Sequence, residues 1–138
     1  MKKIKVLITG AGAPGGPGII KSLLDKDEFE IYICDANKYA SGRYILPKKF
    51  TKVEKADSKF YLESIMSLCI KNKIDIVLPL VTRELNILAK NKNKFTEKDI
   101  KIIVSELKSL EIANNKGELY KHLKKSNIPI PRFFISNN

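Results

Sequence analysis

The sequence is poor in the residue types that most often carry metal and redox chemistry. Its 138 residues include no tryptophan, one histidine and two cysteines. Cys34 and Cys69 belong to no paired metal-binding or redox motif, so both are expected to be buried, reduced thiols. His122 lies alone in a lysine-rich segment, which is typical of an exposed histidine. The sequence therefore predicts no metal site, and we assign no catalytic residue from it.

Long apolar segments are also missing. The longest purely apolar run, Ile76–Val81, is far shorter than the roughly 20 residues that span a bilayer. The lysines at the N-terminus are not followed by the apolar segment and small-residue cleavage site of a secretory signal. We therefore expect a cytoplasmic location and no membrane partner.

The charge is strongly positive but dispersed. The chain carries 26 basic and 15 acidic residues, for a net charge of +11, and only Arg43, Arg83 and Arg132 are arginines. The lysines are spread through every segment, as in a solvated surface coat, and no aromatic-rich strand accompanies them. Although such a charge attracts anions weakly, this pattern does not favour a nucleic-acid partner.

The most informative segment is the glycine-rich stretch near the start. A strand-like run, Lys3–Thr9, leads into Gly10, Gly12 and Gly15, which have the G-x-G-x-x-G spacing. A helical pattern follows, and a second strand-like run ends in the acid Asp35. This order is typical of a nucleotide-binding strand–turn–helix–strand unit, in which backbone N–H groups and a helix N-terminus can hold an anion.

Strand and helix patterns then alternate along the chain. This alternation, with short connections, predicts an α/β fold, a doubly wound parallel sheet of about five strands with helices on both faces. The region Asp35–Lys48 is expected to be a loop. The strands are expected at Lys3–Thr9, Glu28–Cys34, about Phe50–Glu54, Ile74–Pro79 and Ile100–Val104. The helices are expected at Gly16–Lys26, from Asp57 or Ser58 to about Asn72, from Thr82 to about Lys94, after Ser105, and from about Lys116 to Ser126.

In such a sheet, ligands bind at the carboxyl ends of the strands. The glycine loop could hold a phosphate or carboxylate there, or it could be a tight turn that lets a helix pack closely. Asp35 could bind a ribose, or it could cap the next turn. Arg83 and Glu84, after the fourth strand, could bind a charged substrate or pair at a helix start. Pro14 and Pro17 depart from the dinucleotide-binding pattern because proline has no N–H.

The C-terminal third of the sequence carries a different set of motifs. Asn115-Lys116, Tyr120, Leu123 and the segment Asn127–Phe133 resemble the beginning of an ATP-grasp domain. That family has an Asp-Lys pair, an aromatic residue and a leucine on a helix, and then G-I-P-x-P. Asn115 stands where the family usually has aspartate.

The preceding part resembles the domain before the ATP-grasp domain in carbamoyl-phosphate-synthase large-subunit-like ligases. The features that match are the Ile8–Gly12 start, Asp35 with its loop, Leu78-Pro79, and Glu84-Leu85. The resemblance implies a Rossmann-like pre-ATP-grasp domain over 1–114, and the start of a truncated ATP-grasp domain over 115–138.

The resemblance also implies a function. Ligases of this kind phosphorylate a carboxylate with ATP and pass the acyl phosphate to an amine or similar nucleophile. Gly12, Gly15, Asp35 and Glu84 would then bind the small-molecule substrate, and Lys116 would reach the ATP phosphates. ATP and Mg²⁺ would be the cofactors of the full-length protein, and the groups that hold them would lie beyond Asn138.

The same resemblance carries expectations for this chain by itself. It is expected to be inactive without the ATP-grasp half and to bind no cofactor tightly. The tail Ile128–Ile135 would lack its natural cover and could mediate homo-oligomer formation. The alternative to a ligase domain is a stand-alone dinucleotide-binding domain of an oxidoreductase or regulator, although such a domain has no need of the Pro129–Phe133 segment.

Overall fold

The computed structural model describes residues 2–134, and these contain one sheet of parallel strands. The strands are β1 (Ile4–Thr9), β2 (Phe29–Asp35), β3 (Phe50–Lys52), β4 (Ile76–Pro79) and β5 (Lys101–Ile102). Their order in the sheet is β3-β2-β1-β4-β5. The chain therefore builds outward from β1 to β3, returns across the sheet, and continues outward on the other side from β4.

Alternate residues of β1, β2 and β4 enter two separate apolar cores, which is why these three strands are largely apolar. The first core joins Val6 and Ile8 of β1 to Ile20 of the helix that follows β1. The second core joins Leu7 to residues of the helices that follow β3 and β4. Helices therefore cover both faces, and the predicted doubly wound, Rossmann-like fold is confirmed. The helices are α1 (Gly16–Leu24), α2 (Ser41–Ile45), α3 (Tyr61–Asn72), α4 (Thr82–Lys90), α5 (Lys92–Thr96), α6 (Leu107–Asn114) and α7 (Lys116–Lys125).

Several predicted helix starts were wrong. The helix α3 begins at Tyr61 rather than near Asp57, because Ser58 Oγ accepts the N–H of Phe60 and forms a local turn first. Thr82 and Ser105 are not N-caps, since α4 and α6 are preceded by Val81 and Glu106 and neither has a side-chain cap.

Two further corrections concern element lengths. The expected loop Asp35–Lys48 contains α2 and the start of a 3₁₀ turn, Pro47–Lys49. The single helix expected from Thr82 to about Lys94 is broken at Asn91. The Asn91 side chain donates to the carbonyl of Ile87 at 2.8 Å, so a side chain there competes with the helical backbone pattern. The last strand is also shorter than predicted.

The chain divides into two compact units, Met1–Val104 and Ser105–Asn138. In the second unit α6 packs with α7, and the rings of Tyr120 and Phe133 lie 4.9 Å apart between centroids. The tail from Ile128 to Phe134 has no regular secondary structure, as its prolines predict, and Ile135 lies outside the described residues. The domain boundary at 114/115 rests on the resemblance and stays a prediction. None of the helices described has the length and apolar composition that a membrane crossing requires.

Candidate functional site

A cavity of about 260 Å³ lies at the carboxyl edge of the sheet. The strand order reverses between β1 and β4, and parallel sheets bind ligands in the crevice at such a switch point. The loops after β1, β2, β3 and β4 all contribute to it, so it is called the switch-point cavity below. It is lined by Gly10, Asp35, Ala36, Glu54, Lys55, Ala56, Asp57, Val81, Arg83 and Glu84.

The glycine loop begins with a residue that must be glycine. Gly10 has φ of +63°, a region that side chains rarely adopt. A Cβ atom there would also clash with Cγ2 of Val81. The absence of a side chain at Gly10 thus lets the end of β1 approach the start of α4 closely.

The two acceptor oxygens of Asp35 are both engaged by backbone donors. The Gly12 N–H donates to Oδ2 at 2.8 Å, and the Asn37 N–H donates to Oδ1 at 2.7 Å. A Cβ atom at Gly12 would lie 3.0 Å from Cβ of Ala40, which packs beside it. Asp35 therefore joins the glycine loop to the loop after β2, and the Gly12 N–H is already taken.

Most of the other N–H groups in the glycine loop are also occupied. The N–H groups of Ala11, Ala13 and Gly16 donate to the carbonyls of Cys34, Gly10 and Ala13 respectively. Pro14 and Pro17 have none to offer. Between Ala11 and Gly18, only Gly15 and Gly18 keep an N–H group without a partner among the described residues. The loop thus presents far fewer donors to an anion than its glycine content suggests.

The third structurally required glycine is Gly16, one residue later than the motif indicated. A Cβ atom at Gly16 would lie 2.6 Å from the carbonyl oxygen of Ala11, whereas one at Gly15 would meet nothing within 4 Å. Gly16 is therefore the position where α1 packs closely against the end of β1. The predicted substrate-binding role of Gly15 stays a prediction.

Glu84 is a buried carboxyl at the cavity. It lies in the first turn of α4 and is only 7% exposed. Thr9, the last residue of β1 and itself fully buried, donates its hydroxyl to Glu84 Oε2. Burial raises the pKa of Glu84, as does the charge of Asp35, whereas the Thr9 hydroxyl, the Tyr61 hydroxyl and the Val81 backbone act in the opposite direction.

Tyr61, the first residue of α3, completes this buried group. Its hydroxyl has no hydrogen-bond partner among the described residues, and its side chain is fully buried. Burial raises the pKa of Tyr61, and the neighbouring Glu84 raises it further. The hydroxyl thus lies near Glu84 without adopting hydrogen-bonding geometry. We call Thr9, Tyr61 and Glu84 the buried triad.

The cavity lining is locally acidic although the chain is basic. It contains four carboxyl groups and two cationic side chains, Lys55 and Arg83, against 15 acidic and 26 basic residues in the whole chain. No group of three or more His, Cys, Asp or Glu residues within 2–134 is arranged to hold a metal ion. The charged side chains of the lining can pair with charged groups of an organic ligand. The four carboxyl groups belong to Asp35, Glu54, Asp57 and Glu84.

The predicted site residues fall into three groups. Asp35 and Glu84 both line the cavity, and Gly12 is bound to Asp35. Gly15 is not part of the lining. Lys116 opens α7 in the second unit, where Asn115 Oδ1 caps the helix by accepting the N–H groups of Gly117 and Glu118.

The sequence analysis missed Thr9, Tyr61 and the segment Glu54–Asp57. Thr9 could have been identified as a lone polar residue ending an apolar strand immediately before the glycine. Tyr61 gives no such signal, since an aromatic residue on a helix is usually core. Cys34 and Cys69 are buried free thiols, as predicted, and burial raises the pKa of Cys69 to about 12.

Comparisons with solved structures yield NAD-binding proteins at low similarity. An NAD complex of dTDP-glucose 4,6-dehydratase from Bacillus anthracis is 15% identical, with a TM-score of 0.48, over 72% of this chain and 36% of that one. An NAD-binding semialdehyde dehydrogenase protein from Cupriavidus necator, with calcium and NAD, is 18% identical, with a TM-score of 0.37, over 73% and 30%. The chain spans about a third of each, and this similarity says nothing about its ligand.

The family comparison is more specific. A search of curated proteins finds no significant match. The model of the PylC-like N-terminal domain, by contrast, matches residues 6–103, which is nearly the whole of the first compact unit. This match covers more than two thirds of the sequence, including every residue of the switch-point cavity. The chain therefore belongs to the PylC-like N-terminal domain family.

Proposed function

We propose that this chain forms the substrate-side wall of an ATP-dependent ligase. In this reaction ATP phosphorylates a carboxylate, and an amine or similar nucleophile displaces phosphate from the acyl phosphate to form the product. Asp35 and Glu84 would bind the acceptor substrate, with Gly12 holding Asp35 in place and Gly15 offering a free N–H. Lys116 would reach the ATP phosphates once the ATP-grasp half is present.

One observation carries this proposal: an acidic cavity at the switch point with a buried carboxyl in its lining. Such a cavity suits a small charged substrate. No group of His, Cys, Asp or Glu residues within 2–134 fits a magnesium site, and in this proposal an ATP-grasp half would supply Mg²⁺ and most of the ATP contacts. What this domain supplies is orientation of the substrate and exclusion of water around the attacking group.

The alternative, a dinucleotide-binding domain, is less well supported by the site. A dinucleotide fold uses the acid after β2 to bind ribose and the glycine-loop N–H groups to approach the pyrophosphate. Here both oxygens of Asp35 are held by backbone donors, one of them the Gly12 N–H. Pro14 and Pro17 remove two further donors. A dinucleotide would therefore meet fewer free loop donors here than this fold usually offers.

The test is an activity that depends on both halves. The gene beyond codon 138, and any neighbouring reading frame, should encode the lysine, glycine-rich loop and acidic metal cluster of an ATP-grasp half. Joined or mixed with this chain, that half should release ADP only when a carboxylate and an amine are both present. A chain that instead binds NAD and supports hydride transfer would overturn the proposal.

A matched pair of variants makes this test specific to the cavity. Glu84→Gln keeps the size of the side chain and removes its charge, so coupled ADP release should fall. Glu63→Gln, in the first turn of α3 and not part of the lining, should leave the rate unchanged. Equal rates for both variants would show that the switch-point cavity is not the substrate site.

A further inference from the structure

The buried triad has features that a helix cap alone does not need. Glu84 is the third residue of α4, where a glutamate can reach back to the N–H of the residue before the helix. Such caps are commonly solvated. Glu84 instead lines the switch-point cavity while being 7% exposed, and a fully buried Thr9 donates to one of its oxygens. A buried carboxyl ionises only when partners stabilise its charge, so the ionised form of Glu84 needs hydrogen-bond donors or a cation in the cavity.

The environment of Tyr61 supports the same interpretation. A buried hydroxyl without a partner is unfavourable and seldom found. Among the neighbouring charged groups, the Glu84 carboxyl has the largest effect on the pKa of this hydroxyl. An ionised Glu84 would accept a hydrogen bond from this hydroxyl, whereas a neutral one gains much less from it. Tyr61 is therefore poised to support the charged form of Glu84.

We propose that Thr9 and Tyr61 are positioning residues for Glu84, and that the ionised carboxylate binds an ammonium group entering the switch-point cavity. Binding is then coupled to loss of a proton: the neutral carboxyl releases H⁺ to solvent, and the carboxylate pairs with the ammonium. This inference rests on the amine substrate of the proposed function. It assigns roles to Thr9 and Tyr61, for which the family match alone provides none.

The charges around Glu84 determine the direction of the pH dependence. Burial and Asp35 disfavour the ionised form, whereas the Thr9 hydroxyl, the Tyr61 hydroxyl and the Val81 backbone favour it. An incoming cation also favours ionisation, so the affinity for an ammonium should rise with pH until Glu84 is ionised in the empty cavity. Further charged or titratable groups face the cavity or the triad. They are Cys34 on β2, Glu54, Lys55 and Asp57 after β3, Tyr61 on α3, and Arg83 on α4.

The experiment uses n-butylamine as the probe and n-butanol as its uncharged match. Carbon-13 NMR of the Glu84 carboxyl, with each probe titrated between pH 4 and pH 8, reports its protonation directly. We expect n-butylamine to bind, to lower the pKa of Glu84 and to bind more tightly as pH rises. We expect n-butanol to change nothing. Absence of n-butylamine binding, or binding that leaves the Glu84 resonance unchanged, overturns the inference.

Variants test whether Thr9 and Tyr61 position Glu84 or only support folding. Glu84→Gln should weaken n-butylamine binding at least tenfold, whereas Glu63→Gln, which is not part of the lining, should change it less than threefold. Thr9→Val and Tyr61→Phe should each move the pH midpoint of binding upward by about half a unit or more, with a folded amide spectrum. Folded variants with an unchanged midpoint overturn the positioning roles. The wild-type titration stands even if a variant fails to fold.

Failure of this inference can be distinguished from failure of the proposed function. If coupled ADP release occurs but n-butylamine does not affect Glu84, the ligase proposal stands and the triad assignment is wrong. If n-butylamine binds through Glu84 but the joined halves release no ADP, the cavity takes ammonium groups in some other reaction.

Discussion

Replacing Gly16 by alanine tests the close packing of α1 against the end of β1. The new Cβ would lie 2.6 Å from the Ala11 carbonyl oxygen and 3.0 Å from its carbon. Both are backbone atoms, so rotation of a side chain cannot relieve the clash. The same carbonyl accepts the N–H of Gly42 at 3.1 Å, and a shift that relieves the clash stretches this hydrogen bond.

The magnitude follows from these two effects. Overpacking of this kind typically costs about 1–3 kcal/mol, and weakening a buried backbone hydrogen bond adds about 1 kcal/mol. We therefore expect Gly16→Ala to lower the free energy of unfolding by about 2–4 kcal/mol, a large share of the roughly 5–15 kcal/mol typical of a domain. The midpoint of thermal unfolding should fall by about 3–4 °C per kcal/mol for a chain of this length.

Gly15→Ala is the matched control, because the adjacent position has nothing within 4 Å of a new Cβ and an ordinary helical φ of −82°. Loss of a favourable N-cap glycine and the stiffer unfolded chain largely offset each other, so the change should stay within about 0.5 kcal/mol. Urea and thermal unfolding, followed by circular dichroism, measure both variants. A Gly16→Ala protein as stable as wild type, or a Gly15→Ala protein equally destabilised, would refute the reasoning.

Three further predictions concern the charges and the activity of the chain. Asp35→Asn places an amide donor among the N–H groups of Gly12 and Asn37, so urea unfolding should show a loss of about 1–3 kcal/mol; no loss would mean that Asp35 does not hold the loops together. The Lys49 ammonium, 2.6 Å from Glu30, lowers the pKa of Glu30, so the stabilisation is present above pH 4.5 and is lost as the pH falls through the lowered value. Because the pair is partly exposed, Glu30→Gln should cost under about 1 kcal/mol at pH 7 and nothing at pH 2; a penalty that persists at pH 2 would contradict the ion-pair explanation. Highly purified chain alone should hydrolyse no ATP, and magnesium-dependent phosphate release that a mutation within it abolishes would count against a division of labour with an ATP-grasp half.

Much of the fold follows from the apolar periodicity. The runs that became β1, β2 and β4 are apolar almost throughout because both faces of the sheet are covered, and this is a signal that the sequence displays directly. The helix starts were harder, because a serine before a helix can form its own turn. Ser58 does so, and the helix begins three residues later, at Tyr61.

The candidate site was predictable only in part. Asp35 and Glu84 were found because both follow strands, and parallel strands bring their carboxyl ends together. Their partners could not be read from the sequence: Thr9 and Glu84 are 75 residues apart in sequence and meet only because β1 and β4 are neighbours. The motif spacing likewise selected Gly15 in place of Gly16, since spacing does not show which glycine faces a backbone carbonyl.

A calorimetric titration of the chain with NAD⁺ and NADP⁺ tests the central claim most directly. The claim is that the switch-point cavity serves a ligase substrate and that the glycine loop, with two prolines and most of its N–H groups already bonded, offers too few donors to a dinucleotide. It predicts no measurable binding of either nucleotide. A micromolar dissociation constant, about −8 kcal/mol, would contradict the claim and identify the chain as a dinucleotide-binding domain.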